Sequence, residues 1–118
     1  MSIKYKRNKE FLDVIFTGER SFAAISDLID IVYKQCQKNN LRRVLIDVSE
    51  AEGEWKDFDR FLAGEKVSQV FKHHYKILAI DKEENINKFA ENTAVNRGAD
   101  FLVTPDRKKG LEWLLEKS

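Results

Sequence analysis

The sequence is poor in the residues that build covalent or metal-stapled folds. It contains one cysteine, Cys36, together with one proline and five glycines. A single cysteine excludes an intrachain disulfide and any metal site built on paired cysteines. Scarce proline and glycine leave no linker, and no repeat or low-complexity segment interrupts the chain. We therefore expect one domain spanning residues 1–118.

The chain also lacks an excess of either charge and any long apolar run. Lys and Arg number 21 and Asp and Glu number 20, which gives a formal net charge of +1. Because such a balance creates no overall attractive field, we expect no nucleic-acid partner. No stretch reaches the length of a membrane span, and the charged N-terminus lacks the apolar segment of a signal peptide. These features predict a cytoplasmic protein.

The apolar residues that are present predict alternating strands and helices. Residues 3–7 and 10–17 should form an edge hairpin joined at Asn8-Lys9, because turn residues separate two strand-like runs. Helical spacing from Ile25 to Cys36 predicts the first helix. The remaining elements follow as a strand over 44–48, a helix over 57–71, a strand over 76–81, a helix after Asn85, a strand over 101–103 and a final helix.

Polar residues stand where these four helices should begin. The predicted N-caps are Ser21, Asp57, Asn85 and Thr104, since short oxygen-bearing side chains accept hydrogen bonds from free helical N–H groups. Pro105 fits the first helical position after Thr104. Gly98 should end the third helix in a left-handed conformation.

The order ββαβαβαβα predicts an α/β fold with a mixed, mostly parallel sheet, an N-terminal edge hairpin and four helices. Strand–helix–strand alternation with short connections favours parallel pairing of the later strands. A nucleotide-binding doubly wound fold is the competing interpretation. It requires a glycine-rich turn after the first strand–helix unit, whereas only Gly18 stands there.

Several segments carry a family resemblance. Residues 87–98 end in Asn96-Arg97-Gly98 before the last strand, and the last helix contains Trp113-Leu114. The strand over 43–47 is followed by a helix containing Arg60 and Gly64. Together these features resemble the SpoIIAA-like family of the STAS superfamily, over nearly the whole chain.

The resemblance implies a mostly non-enzymatic domain. The best understood members antagonise anti-sigma factors and are switched by phosphorylation of a serine at a helix start. The corresponding residues 55–60 contain no serine or threonine here, and Ser49 lies at the preceding strand end instead. The phosphorylation switch is therefore not evident in this chain. Other related domains bind small ligands or lipids.

Our first hypothesis is a regulatory or protein-interaction module without enzymatic activity or cofactor. The expected partner- or ligand-binding residues are those of the acidic loop and the following helix start: Ser49, Glu52, Trp55, Asp57 and Phe58. Trp55 could anchor a partner or pack as a lid over the sheet edge, and Phe58 could belong to the core instead. The sequence leaves the identity of the partner open, as well as a homodimer.

A carrier of a small apolar molecule is the second hypothesis. Its motivation is the supply of eight Phe, three Tyr and two Trp residues in a small chain. Such a molecule would lie between the sheet and the helices. Aromatic residues, however, more often build an ordinary core.

An enzyme is the third hypothesis, because Asp47, Asp81 and Thr104 lie near the ends of predicted parallel strands, where α/β folds bind ligands. The structural alternative is that the two carboxylates cap loops or pair with basic residues. It is favoured because the sequence has no phosphate-binding loop and no nucleophile motif.

The remaining candidates favour structural roles. His73 and His74 are adjacent, and on a strand they would point to opposite faces, so no metal site is predicted and a solvated loop before a strand is favoured instead. Cys36 on the apolar side of a helix indicates a buried thiol. Asn96 and Arg97 could contact a ligand, but Arg97 is better explained by bonding to carbonyls at the helix end. A solvated basic face is predicted for Arg107, Lys108, Lys109 and Lys117.

Overall fold

The computed structural model describes residues 2–116, except for the side chain of His73. The strands are β1 (Ser2–Arg7), β2 (Leu12–Thr17), β3 (Arg43–Asp47), β4 (Lys76–Ile80) and β5 (Asp100–Thr104). The helices are α1 (Phe22–Asn39), α2 (Asp57–Phe71), α3 (Phe89–Asn96) and α4 (Arg107–Leu114). The order ββαβαβαβα is therefore confirmed.

The five strands form one sheet in the order β1-β2-β3-β4-β5. Strand β1 pairs antiparallel to β2, and all later neighbours pair in parallel. The predicted edge hairpin and the mostly parallel sheet are thus both present. Because β2, β3, β4 and β5 all run in the same direction, their carboxyl ends lie at one end of the sheet, as do the loops that follow them.

The helices divide unequally between the two faces of the sheet. Helices α1, α2 and α3 contribute to the larger core cluster, which contains Phe16, Leu28, Val32 and Phe71. Helix α4 alone covers the opposite face, where Leu114 packs with Leu45 and Leu78. In the part of the chain from 2 to 116, no helix has both the length and the apolar character needed to cross a bilayer.

The hairpin connection is longer than predicted. Strand β2 begins at Leu12 rather than at residue 10, because the side chain of Asn8 shapes the turn. Its Oδ1 atom accepts hydrogen bonds from the backbone N–H groups of Glu10 and Phe11, both at 2.8 Å. An asparagine that bonds to the backbone ahead of it forms a local turn and delays strand pairing.

The predicted N-caps Asp57 and Thr104 are wrong, because Asp57 lies within α2 itself and Thr104 lies within β5. Helix α2 has the predicted bounds, but its cap is Lys56 without a side-chain hydrogen bond, and Asp57 is the first helical residue. Thr104 is the last residue of β5, paired with Ile80, and Asp106 caps α4 instead. The Asp106 Oδ1 accepts from the N–H of Lys109 at 3.0 Å.

The third predicted cap, Asn85, is also wrong. Asn85 ends a short 3₁₀ turn, and α3 begins only at Phe89. The Asn85 Nδ2 lies 3.5 Å from a carboxylate oxygen of Asp81, so this side chain faces back toward the sheet edge. The fourth cap, Ser21, is confirmed by a 3.2 Å bond from the N–H of Ala24. Gly98 follows α3 at φ +91°, as predicted.

Candidate functional site

A cavity of about 100 Å³ lies between the sheet and the helices of the larger face. It is lined by α1, α2, α3 and the inner side chains of β3, β4 and β5, together with Trp55 and the segment over 85–88. Its wall is almost entirely apolar. Ligand sites of this kind are concave and mostly apolar, with a few polar groups at the edge.

Small residues create the cavity. In β4, Ala79 pairs with Ile46 on one side and Val103 on the other, and it remains partly accessible although its strand is internal. Ala63 of α2 and Ala90 of α3 also line the space. Because three alanines meet where larger side chains would fill the volume, the helices cannot close down on the sheet here.

The helices above the cavity pack tightly against each other. A Cβ atom added at Gly64 of α2 would lie 2.9 Å from the Thr93 Cβ of α3 and closer still to the Ala90 carbonyl. The rings of Phe61 and Phe89 also meet across these helices, with centroids 6.5 Å apart. The empty volume therefore lies beneath α2 and α3 and not between them.

A buried ion pair closes one end of the cavity. The Arg20 Nη2 donates to the Asp81 Oδ1 at 2.9 Å, and both side chains are about 95% buried. Arg20 also donates to the carbonyls of Val48, Ala51 and Gly53, which lie in the loop after β3. Burying such a pair is favourable only when its remaining hydrogen-bonding groups are largely satisfied, and here Arg20 ties the loop to the sheet.

Trp55 is part of the same cluster. Its indole Nε1 donates to the second carboxylate oxygen of Asp81 at 3.2 Å, and the ring lines the cavity. Of the two roles predicted for Trp55, this arrangement matches the one in which the ring packs as a lid, since the hydrogen bond holds the partly buried ring over the carboxyl ends of the strands.

Arg60 closes the rim on the side of the segment over 82–88. Its guanidinium donates to the carbonyl of Asn85 at 3.0 Å and to that of Trp55 at 3.4 Å. It also pairs with Asp57, which in turn accepts from the Nδ2 of Asn87. Arg60 was noticed in the sequence only as part of the family resemblance, and Arg20 was not singled out at all.

The five predicted binding residues do not form one continuous surface. Trp55 lines the cavity, whereas Phe58 is 70% exposed and stacks on Phe61 with centroids 6.4 Å apart. The alternative that Phe58 belongs to the core is therefore wrong. Ser49 donates to Asp47 through both its N–H and its hydroxyl group.

The two other members of the predicted set lie on the outside of the molecule. The side chain of Glu52 is exposed, and its backbone exchanges hydrogen bonds with Gly18 and Arg20. Asp57 is exposed at the start of α2, where it binds Arg60 and Asn87. Glu52 and Asp57 thus frame the loop that carries Trp55.

The residues of the enzyme hypothesis are engaged in structural hydrogen bonds. Asp47 accepts from Ser49, Asp81 accepts from Arg20 and Trp55, and the Thr104 Oγ1 accepts from the N–H of Asp106 at 3.2 Å. The structural alternative is confirmed for both carboxylates, since Asp47 caps the loop after β3 through Ser49 and Asp81 pairs with Arg20. A general base needs an accessible lone pair beside its substrate, which Asp81 lacks in this arrangement.

The remaining candidates have structural surroundings. Cys36 is fully buried in the larger core, and this burial raises the pKa of its thiol to about 12. Arg97 donates to the Thr93 carbonyl at 3.4 Å, as the helix-end interpretation predicts, and pairs with Glu65 at 3.5 Å. Arg107 pairs with Asp13, whereas Lys117 lies outside the described residues.

No histidine-based site emerges in the described part of the chain. Among residues 2–116, no three His, Cys, Asp or Glu side chains are grouped so that they could hold a metal ion. The backbone of His73 and His74 belongs to a short 3₁₀ turn, Lys72–His74, just before β4. The two residues therefore precede the strand, as the loop interpretation predicts, and do not lie on it.

A comparison with solved structures finds the same architecture elsewhere. The chain is similar to an uncharacterised protein of the DUF3478 family from Shewanella loihica, described as having a SpoIIAA-like fold. The match covers 96% of this chain and 92% of that one, with a TM-score of 0.55 and 19% sequence identity. No protein-family model and no curated protein sequence matches this chain. The expected architecture is thus confirmed at the level of the fold: the chain has a SpoIIAA-like fold.

Proposed function

We propose that this protein binds a small apolar molecule in the cavity beneath α2 and α3. The observation that carries the proposal is an apolar cavity of about 100 Å³, partly open to solvent, between the sheet and the three helices of the larger face. Natural cores leave few voids larger than a water molecule, because each unfilled void forfeits dispersion contacts. A bound apolar group would restore those contacts.

The size and chemistry of the cavity limit the ligand. Apolar cavities of roughly 150 Å³ stay dry and take up molecules such as benzene. The ligand group in this somewhat smaller space is therefore a single ring or a short branched aliphatic chain, either alone or as one end of a larger molecule. The ionic groups at the rim, Asp81, Arg60 and Lys88, already have protein partners, so the enclosed part of the ligand is uncharged.

Toluene titration tests the proposal directly. Saturable chemical-shift changes are expected for backbone amides of residues that line the cavity, such as Ala79 and Val103. In the Ala79→Leu variant, the added side chain occupies the cavity, and binding should weaken at least tenfold. Ala23→Leu makes the same chemical change at an exposed position of α1 and should bind toluene like the wild type.

Two outcomes would contradict this function. One is the absence of saturable shifts up to the solubility limit of toluene. The other is an equal response in the wild type and the Ala79→Leu variant, which would mean that toluene binds elsewhere. Circular dichroism of both leucine variants checks that each one is folded.

A protein partner at the exposed helix start is the second candidate function. The observation that favours it is Phe58, which is 70% exposed beside the acidic loop. Exposed aromatic residues are frequent anchors of interfaces. In this view the chain is the non-enzymatic regulatory module expected from the resemblance, and Ser49, Glu52 and Asp57 border its binding surface.

Substitutions of two aromatic residues, Phe58 and Trp55, distinguish the two candidate functions. Phe58→Ser removes the exposed ring, while Trp55→Ala enlarges the cavity and removes the bond to Asp81. A partner recovered by the wild type should be lost with Phe58→Ser, and toluene binding should be unchanged. Equal recovery of every partner by the wild type and both variants would eliminate the surface.

A further inference from the structure

The free edge of β5 differs from the other edge of the sheet. On β1, the exposed Lys4 and Lys6 lie along the edge strand, and lysines on an edge discourage pairing with another chain. Strand β5 carries no charge after Asp100, since its sequence continues Phe-Leu-Val-Thr. An uncharged edge of this kind is a template for an additional strand.

Two side chains from α3 and its cap cover this edge. The backbone N–H of Val103 donates to the Glu91 Oε1 at 2.6 Å. The Lys88 Nζ donates to the carbonyl oxygen of the same Val103. Lys88 and Glu91 also pair with each other at 3.1 Å. Both backbone groups of Val103 are therefore occupied by one ion pair, which we call the edge clasp.

The backbone of Lys88 supports a specific role for the edge clasp. Lys88 has φ +66° and ψ 4°, a left-handed conformation that is uncommon for residues other than glycine, asparagine and aspartate. Such strain costs of order 1 kcal/mol and persists only where surrounding contacts determine it. Here the side chain of Lys88 contacts both Glu91 and Val103, so those contacts help to hold the strained residue.

We propose that the edge clasp keeps β5 from pairing with β5 of a second copy of this chain. The backbone N–H and carbonyl groups of successive residues in a strand point to opposite sides of that strand. Those of Phe101 therefore point to the same free edge as those of Val103. With the clasp in place, an approaching strand meets a charged pair where it needs the free N–H and carbonyl of Val103. The proposal is independent of the ligand proposed for the cavity.

A second copy fits this edge because the strand is self-complementary. In an antiparallel pair with its two-fold axis at Leu102, Phe101 of each copy lies opposite Val103 of the other, and the two residues exchange both backbone bonds. Asp100 then lies opposite Thr104, so no like charges face each other. Pro105 has no N–H and limits the edge to these few residues.

Removal of the clasp tests the proposal. Lys88→Met together with Glu91→Met removes both charges and the strong acceptor for Val103 while keeping side chains of similar length. The matched control is Lys82→Met with Glu84→Met, which makes the same changes at two exposed positions of the preceding segment. Light scattering after size-exclusion chromatography measures the mass of each protein over a wide concentration range.

We expect a concentration-dependent doubling of mass for the clasp variant alone. In that dimer, hydrogen exchange at the amides of Phe101 and Val103 should slow at least tenfold relative to its monomer. A folded clasp variant that stays monomeric would overturn the proposal, as would a dimer without slower exchange at these amides. A wild type or control that dimerises through the same edge would also overturn it.

Discussion

On the face covered by α4, Gly110 brings the helix so close to β4 that an added Cβ would lie 2.8 Å from the Leu78 Cδ1. On the opposite face, three helices leave a cavity of about 100 Å³ over Ala79, the next residue of the same strand. On one side of β4 a methyl group would therefore fit only if Leu78 or α4 shifted, while on the other side about 100 Å³ is empty. The two faces of the sheet are thus packed to different extents at two consecutive residues of β4, Leu78 and Ala79.

A few residues explain both the close packing under α4 and the open packing at the cavity. The sequence predicts that Gly110 should cost about 1 kcal/mol within a helix. The structure explains its presence, because an added Cβ would lie 2.8 Å from a methyl group of Leu78 and 3.1 Å from the Thr104 Cγ2, so these side chains or α4 would have to shift. On the cavity side, the buried pair of Arg20 and Asp81 orders the rim by hydrogen bonds where apolar packing is incomplete.

The strongest test of this comparison removes the polar cluster at the rim. Asp81→Ala leaves the buried Arg20 without its counter-charge, and we expect a loss of about 3–5 kcal/mol in the free energy of unfolding. Urea denaturation measures this change. The matched control, Asp30→Ala, breaks a more exposed pair with Lys66 and should cost less than about 1 kcal/mol. Equal losses would mean that the rim cluster contributes no more than a surface pair.

Overpacking of the dense face should have the next largest effect. Gly110→Val places new carbon atoms against Leu78, and we expect a loss of about 1–3 kcal/mol despite the removal of a helical glycine. Thermal unfolding followed by circular dichroism reports the change. Lys108→Val, at an exposed position of the same helix, provides the control. A Gly110→Val protein as stable as the wild type would mean that α4 shifts at little cost.

The opposite result is expected when carbon is added to the cavity side. Ala79→Leu should leave the free energy of unfolding unchanged or raise it by about 1 kcal/mol, because the new side chain occupies empty space. Urea denaturation of Ala79→Leu and Ala23→Leu separates this effect from the change in residue type. A loss of 2 kcal/mol or more, on the scale of ordinary overpacking, would show that the cavity cannot accept a side chain from β4.

Cys36 reports on the densely packed part of the larger face. Burial raises the pKa of its thiol to about 12, whereas an unfolded cysteine has a pKa of about 8.5. Between these values the unfolded state loses a proton that the folded state keeps, so stability from this group is present below the lower pKa and is lost as pH rises toward the higher one. Urea denaturation at pH 8 and pH 10 should therefore show a smaller decrease for Cys36→Ala than for the wild type. Equal decreases would assign the pH dependence to other groups.

The element order could be predicted because it depends on local patterns. Helical spacing gave the bounds of α2 to the residue, and the edge hairpin followed from its turn residues and lysines. The wrong N-cap predictions at Asn85 and Thr104 have a common cause. Both residues are suitable caps in isolation, but in the fold each one interacts with a residue at the carboxyl end of β4. The Asn85 side chain faces Asp81, and Thr104 is paired within β5.

The site was less predictable than the fold. Trp55 was identified as a candidate, but its sequence neighbours do not tell whether the ring faces a partner or a cavity. Arg20 was missed because its partners lie 28 to 61 residues away along the chain, so no local pattern reveals them. Ala79 also gives no signal, because an alanine in an apolar strand matters only when its neighbours across the sheet and the helices above it are known.

By itself, the sequence determined the order of strands and helices, the exposed lysine-bearing edge at β1 and the buried state of Cys36, because each follows from residues close together in the chain. The tertiary structure alone decided where volume is left empty and which backbone groups are covered. The cavity over Ala79, the pair of Arg20 with Asp81 and the edge clasp on Val103 all require segments distant in sequence to meet. Packing and hydrogen bonding between such segments depend on three-dimensional distance, which no local pattern encodes.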